Sequence, residues 1–175
     1  MNAANLADLL RSMATLPTMG EAVDQYQHAM QTAAAAFANG ADDDLVMASV
    51  LHDVGRSKLI ASRYATLPHE EAGGEFVRAL LGERAGWLVA AHVAAKRYLV
   101  RAQRSHALSA RSQTTLLTQG GPMTDVEAER FAEHRWAPDA LALRRWDDAA
   151  KVPGAPVPPL SDVLTVYERC RRKLR

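Results

Sequence analysis

Residues 42–55 read DDDLVMASVLHDVG. Three aspartates open the stretch, an almost wholly apolar run follows, and a His-Asp pair and a glycine close it. Acidic residues suit the positive end of a helix dipole, and a glycine suits a helix stop. A helix apolar on all sides is a buried helix. It therefore carries His52 and Asp53 into the interior, where an ionisable group without a partner or a metal is costly. His-Asp dipeptides also arise by chance; the apolar run is what lifts this one above that reading.

The flanking sequence extends the helical pattern. Residues 21–38 are strong helix formers and end at Asn39 and Gly40. Pro68 precedes a helix over 69–81, and 83–99 reads as another. Residues 106–121 are polar and break at Gly120, Gly121 and Pro122. Thr124 to Glu127 resembles a capping box that opens a helix to about His134. Pro138 opens a helix through LALRRWDDAAK, residues 153–159 form a Pro-rich loop, and a last helix runs from Ser161 to the end. No stretch alternates as a strand does. The expectation is an all-α single domain over 1–175, of about seven or eight helices.

Composition narrows the function classes. The chain has 175 residues, with 21 Lys and Arg against 20 Asp and Glu, a net charge of +1. Such balance argues against a nucleic-acid binder, which carries a basic excess. Cys170 is the single cysteine, which excludes an internal disulfide and a Cys-rich zinc site. The opening MNAANLADLLRSM lacks the apolar core of a signal peptide, and no run approaches the ~18 apolar residues of a membrane span. A cytoplasmic protein without a membrane partner is expected. The terminal RCRRKLR reads as a solvated helix end that complements the dipole.

The chemistry-bearing residues lie on separate helices: His28 in QYQHAMQTA, the His52-Asp53 pair, His69 at a helix start, His92 in AAHVAAKRYL and Asp147 in LRRWDDAAK. Taken singly, each histidine is ordinarily a hydrogen-bonded core or surface residue. Together they are one ligand set delivered by several helices to a bundle core, as in dinuclear carboxylate sites. Imidazole suits mid-series metals, and carboxylates bridge or charge-balance a metal pair. Six donors exceed what one tetrahedral ion needs and point to two metals. His106 and His134 lack an apolar setting and are read as surface residues.

At this point the sequence resembles the HD-domain superfamily, and within it the mixed-valent di-iron oxygenases that cleave organophosphonates, the PhnZ-like enzymes. The likeness runs over about residues 15–151, through QYQHAMQTA, GADDDLVMASVLHDVG, HEEAGGEFVRALLG, HVAAKRYL, LSARSQTTLLTQGGPM and LRRWDDAAK. The last three are much more specific than the His-Asp pair. The resemblance implies a helical HD bundle in which His28, His52, Asp53, His69, His92 and Asp147 hold two iron ions, Fe(II) and Fe(III), with Asp53 bridging. Asp147 is preferred to Asp148 because the family's terminal ligand follows an aromatic, here Trp146.

The resemblance also implies that Lys96 meets the substrate's anionic group, that Thr118 and Gln119 hydrogen-bond it and that Arg144 adds charge. Two places depart from the family pattern. Arg56 stands where those enzymes carry a histidine, which keeps an anion-binding group. Thr18 stands near their tyrosine, while Glu21 is retained and would read a substrate amine. The implied reaction uses O2 to oxidise the carbinol carbon of a small anionic or zwitterionic substrate, a 1-hydroxy amino- or ammonioalkylphosphonate with a zwitterionic aminophosphonate favoured, releasing phosphate and a carboxylic acid. Competing readings are a metal-dependent HD phosphohydrolase of a phosphate ester or nucleotide, and a non-catalytic module that kept the fold. A non-catalytic module would be expected to have lost ligands, and all six are present.

Overall fold

The computed structural model describes residues 1–18, 20–102 and 108–174; His106 lies outside them. The described residues form ten α-helices and no strand: α1 (Ala3–Ser12), α2 (Gln25–Ala38), α3 (Asp43–Leu51), α4 (Lys58–Arg63), α5 (His69–Leu81), α6 (Glu83–Ala102), α7 (Ala110–Thr118), α8 (Asp125–Ala132), α9 (Ala137–Ala149) and α10 (Leu160–Lys173). Short 3-10 turns follow α1 and precede α4. The all-helical expectation holds. None of the described helices is long and apolar enough to cross a membrane.

α3 is the axis of the bundle. Asp42 caps it, its side chain accepting from the Leu45 N–H at 3.1 Å, and every residue from Leu45 to Leu51 is buried. α2, α5, α6, α9 and α10 pack around it. Arg84 on α6 ties the outer ends together, reaching Asp42 at 2.7 Å and Asp139 of α9 at 2.9 Å. The capping box at α8 is present, with Thr124 and Glu127 satisfying each other's backbone N–H groups. At the chain's end, Arg169 and Lys173 are exposed, as a solvated helix end should be, and both pair with Asp43. Burial and the acidic residues nearby push the Cys170 thiol up to about 12, which leaves it unreactive.

Two close approaches set the frame of the site. α5 and α6 form an antiparallel pair joined at Gly82, and small residues line their seam. A Cβ on Gly74 would meet Ala90 Cβ at 2.7 Å, and one on Gly86 would meet the backbone of Arg78 at 2.7 Å. The turn at Gly55 lies against the first turn of α5. A Cβ there would meet the His69 carbonyl oxygen at 1.9 Å. Only glycine permits that contact, and it brings the Asp53 segment onto His69.

Several boundaries differ from the sequence reading. α2 starts at Gln25 because Asp24 accepts from the Gln27 N–H at 2.8 Å and so fixes the N-cap. α7 forms within the polar stretch, to which the sequence reading assigns no element, and is capped by Ser109. α1 and α4 are additions, and α10 begins one residue before Ser161.

Candidate metal centre

Five segments deliver six donors to one place. His28 comes from the middle of α2, His52 from the end of α3, Asp53 from the turn after it, His69 from the start of α5, His92 from the middle of α6 and Asp147 from the last turn of α9. They form two groups, His28–His52–Asp147 and Asp53–His69–His92, and within each the donor atoms lie within 4.8 Å of one another. All are buried except His69, which is partly so.

The contacts in the first group are His28 Nε2 to His52 Nε2 at 3.1 Å, His28 Nε2 to Asp147 Oδ1 at 3.1 Å and His52 Nε2 to Asp147 Oδ1 at 3.8 Å. In the second, Asp53 Oδ1 lies 3.1 Å from His69 Nε2 and 3.7 Å from His92 Nε2. Asp53 Oδ2 lies 3.8 Å from His52 Nε2 of the first group. One carboxylate therefore faces both groups, an oxygen to each.

The ring orientations follow from the outer hydrogen bonds. Nδ1 of His28 lies 2.8 Å from the Ala150 carbonyl, Nδ1 of His52 2.8 Å from that of Ser49, and Nδ1 of His92 2.7 Å from that of Val89. Nδ1 of His69 lies 2.9 Å from the Glu70 carboxylate. Carbonyl oxygens only accept, so Nδ1 of His28, His52 and His92 each carries a proton and donates it outward; Glu70 stands at ion-pair distance from His69 without an aligned hydrogen bond. The Nε2 lone pairs of these three rings are left pointing inward, the arrangement a bound metal requires, and Nε2 of His69 points to the same place, where Arg56 Nη2 meets it at 2.8 Å.

The electrostatics agree. Burial opposes ionisation of Asp53, yet Arg56 and the imidazoles around it hold its carboxyl well below the usual range. Burial likewise opposes ionisation of Asp147, and Arg144, with Nη1 2.7 Å from Asp147 Oδ2, outweighs it. Both carboxylates are thus ionised. Burial lowers His52, and burial with His69 nearby pushes His92 down to about 3. Burial also works against a charge on His28 and His69, but Asp147 and Asp53 respectively raise them above their ordinary value.

The donor set fits a metal pair. Donors about 2.0–2.2 Å from one ion sit roughly 3–3.5 Å apart, close to the spacings within each group. Asp53 Oδ1 is buried with no aligned hydrogen-bond donor, although Arg56 Nε lies 2.8 Å away. It keeps a lone pair for a cation. The residues and burial therefore form a dinuclear site of nitrogen and oxygen ligands.

The site opens into a cavity of about 40 Å³. Its wall is cationic, with Arg56, Lys96, Arg111, Arg144 and Lys151 against Glu21, Asp53 and Asp147. Lys96 is 2 % exposed, and its Nζ donates to Thr115 Oγ1 at 3.0 Å and to Gln119 Oε1. Burial and the neighbouring Arg144 push it down to about 8. Arg144 holds Asp147 and Asp148. Arg56 Nη2 donates to His69 Nε2 at 2.8 Å.

Most of the expected residues converge here: the six donors with Lys96, Gln119, Arg144, Arg56 and Glu21. Thr118 does not. It is exposed and its hydroxyl bonds back to the Thr115 carbonyl at 3.0 Å, because α7 runs through this segment and turns residue 115, not 118, toward the cavity. Thr18 is exposed as well and contributes a carbonyl to Arg111 at 3.0 Å. His134, expected at the surface, is half-buried and stacks on Trp87 with centroids 3.7 Å apart. The sequence reading missed Glu70, Arg111, Ser112, Thr115 and Lys151. Lys151 lies beyond the end of α9 at Ala149, so no helical spacing flags it.

No family model matches the chain. Hydroxymethylphosphonate dioxygenase of Gimesia maris is 35% identical over 161 residues, covering 86% of this chain and 79% of that protein. The glycine-betaine-forming 1-hydroxy-2-(trimethylamino)ethylphosphonate dioxygenase of Leisingera caerulea is 32% identical over 143 residues, 76% of this chain and 71% of that protein. Likeness of that extent, carried by a chain whose buried histidines and aspartates form a dinuclear site, places this protein in the family of HD-domain phosphonate dioxygenases.

Proposed function

We propose that the protein is a di-iron oxygenase that cleaves the carbon–phosphorus bond of a small 1-hydroxyalkylphosphonate. The observation that carries this reading is the Asp53 carboxylate turned to both donor groups at the floor of a cationic cavity, in a chain related to two hydroxyphosphonate dioxygenases. His28, His52 and Asp147 would hold one ion, His69 and His92 the other, and Asp53 both. When bound, an iron pair supplies Lewis acidity toward the substrate hydroxyl and the means to reduce O2.

The chain's own residues do the rest. Lys96, fixed between Thr115 and Gln119, presents an ammonium to the phosphonate oxygens. Arg56 and Arg111 add charge on the wall. Arg144 keeps Asp147 ionised and in place. The buried rings hold their protons on Nδ1, away from the reacting carbon, and exclude water from it. Overall, one hydroxyphosphonate and one O2 give one carboxylic acid and one phosphate. The carbinol C–H and C–P bonds break, and the four electrons the carbon loses reduce O2, so no further reductant is consumed. Iron is the occupant proposed because histidine and carboxylate ligands with open positions suit non-haem iron oxygenases.

The test is incubation of iron-loaded protein with a panel of 1-hydroxyalkylphosphonates in air and under nitrogen. Phosphate released in air alone supports the oxygenase. Phosphate released from phosphate esters under nitrogen favours the hydrolase.

A further inference from the structure

The segment after α9 is clamped to α2. His28 Nδ1 donates to the Ala150 carbonyl at 2.8 Å, Gln31 Nε2 donates to the Val152 carbonyl at 2.8 Å, and the Val152 N–H donates to Gln31 Oε1 at 3.1 Å. Lys151 sits between these anchors with its backbone fixed, and its side chain enters the cavity beside both donor groups. There Nζ lies 3.2 Å from Glu21 Oε1, 3.3 Å from Ser109 Oγ and 3.3 Å from Ser112 Oγ. Ser109 Oγ itself donates to Glu21 Oε1 at 2.7 Å. The Lys151 and Glu21 side chains are only 15% and 11% exposed.

A carboxylate and two hydroxyls are thus gathered around an ammonium. Burial opposes ionisation of Glu21, but the Ser109 hydroxyl and the Lys151 charge hold its carboxyl below the usual range. This is the carboxylate that the sequence reading set aside for a substrate amine, and the chain already fills it with a cation of its own. Arg111 lines the same cavity and bonds a backbone carbonyl, with no carboxylate at ion-pair distance among the described residues. An ammonium arriving with the substrate would meet Lys151, Arg111 and Lys96, and, apart from Asp53 and Asp147 of the donor groups, only the Glu21 carboxylate, which Lys151 already pairs with. The two relatives are named for substrates that differ in this respect, a hydroxymethyl group against a trimethylaminoethyl group.

We propose that Lys151 is a specificity-determining residue: by pairing with Glu21 inside the cavity, it makes the protein accept hydroxyphosphonates with a short uncharged tail and reject those that carry an ammonium. The proposal deepens the hydroxyphosphonate reading and rests on it.

Two compounds of equal size isolate the charge, 1-hydroxypropylphosphonate and 1-hydroxy-2-aminoethylphosphonate. Their dissociation constants are measured by calorimetry on the iron-loaded protein without O2, and their kcat/KM by O2 uptake. The wild type should favour the neutral compound at least tenfold in both. Lys151→Met should shift the ratio at least tenfold toward the ammonium compound, and adding Glu21→Gln should remove that gain. Iron content and circular dichroism report whether the variants fold, and the wild-type ratio stands without them. Equal binding of the two compounds by the wild type overturns the proposal, as does a ratio that Lys151→Met leaves unmoved. Binding in the expected ratio with no O2 uptake would instead overturn the oxygenase reading and leave the specificity role standing. Absence of binding by either compound overturns both.

Discussion

Asp53 Oδ1 lies 3.1 Å from His69 Nε2, while the other oxygen of the same carboxylate turns to His52 in the opposite group. Residues adjacent in sequence, His52 and Asp53, thereby serve different donor groups, and the carboxylate spans them. If it bridges two ions, no neighbour can replace it: it offsets charge on both. Asp53→Ala should reduce bound metal from two ions per chain to fewer than one and abolish turnover, checked by elemental analysis of anaerobically loaded protein. Two ions retained in that variant would remove the bridging assignment.

Glu70 is paired with His69 Nδ1 at 2.9 Å, and burial notwithstanding, the His69 contact lowers its carboxyl to about 2. Its carboxylate stands behind the ring, on the side away from Nε2. Glu70→Gln should weaken metal binding about 10- to 100-fold, the usual effect of losing a partner behind a ligating histidine. Competition with a chelator measures this, and affinity equal to wild type would show that His69 is oriented without Glu70.

Lys96 supplies a pH dependence. Its depressed value, about 8, means that it is charged below that pH and loses its proton as pH rises through it. kcat/KM, which reports the free protein, should fall above pH about 8. Lys96→Arg, which keeps its charge, should move that fall to higher pH. Lys96→Ala should raise KM about ten- to a hundredfold, or about 1.5–3 kcal/mol for a lost charge-assisted contact, with metal content unchanged.

Gly55→Ala probes the frame. The new methyl would sit 1.9 Å from the His69 carbonyl, and the turn or α5 must give way. We expect a loss of about 1–3 kcal/mol or more in stability and weaker metal binding in the same variant. Thermal melts with and without metal measure both. An unchanged melt would show that the turn is free to shift.

α3 was legible because nothing else in the chain explains an apolar run that ends in two ionisable residues. The six donors were legible only together, as a metal-suited set spread over several helices that matches a family pattern; no one of them stands out alone. Thr118 was not, because a polar stretch without an apolar stripe does not show which face of α7 turns inward; in the helix, Thr115 lines the wall. α1 has no dramatic signal beyond Leu6, Leu9 and Leu10, which bury against the core only after α2 and α10 are in place. Glu70 and Lys151 act through contacts to His69 and Glu21 that depend on tertiary placement. Spacing along the chain carries no sign of which partner such side chains find.

The central claim is that a dinuclear site in this chain couples O2 to cleavage of a carbon–phosphorus bond. The most direct measurement is the molar ratio of O2 consumed to phosphate formed when the iron-loaded protein turns over hydroxymethylphosphonate in a closed oxygen electrode. The account predicts a ratio of one, with one carboxylic acid formed per phosphate and no phosphate under nitrogen. Phosphate that appears without O2 uptake would contradict it.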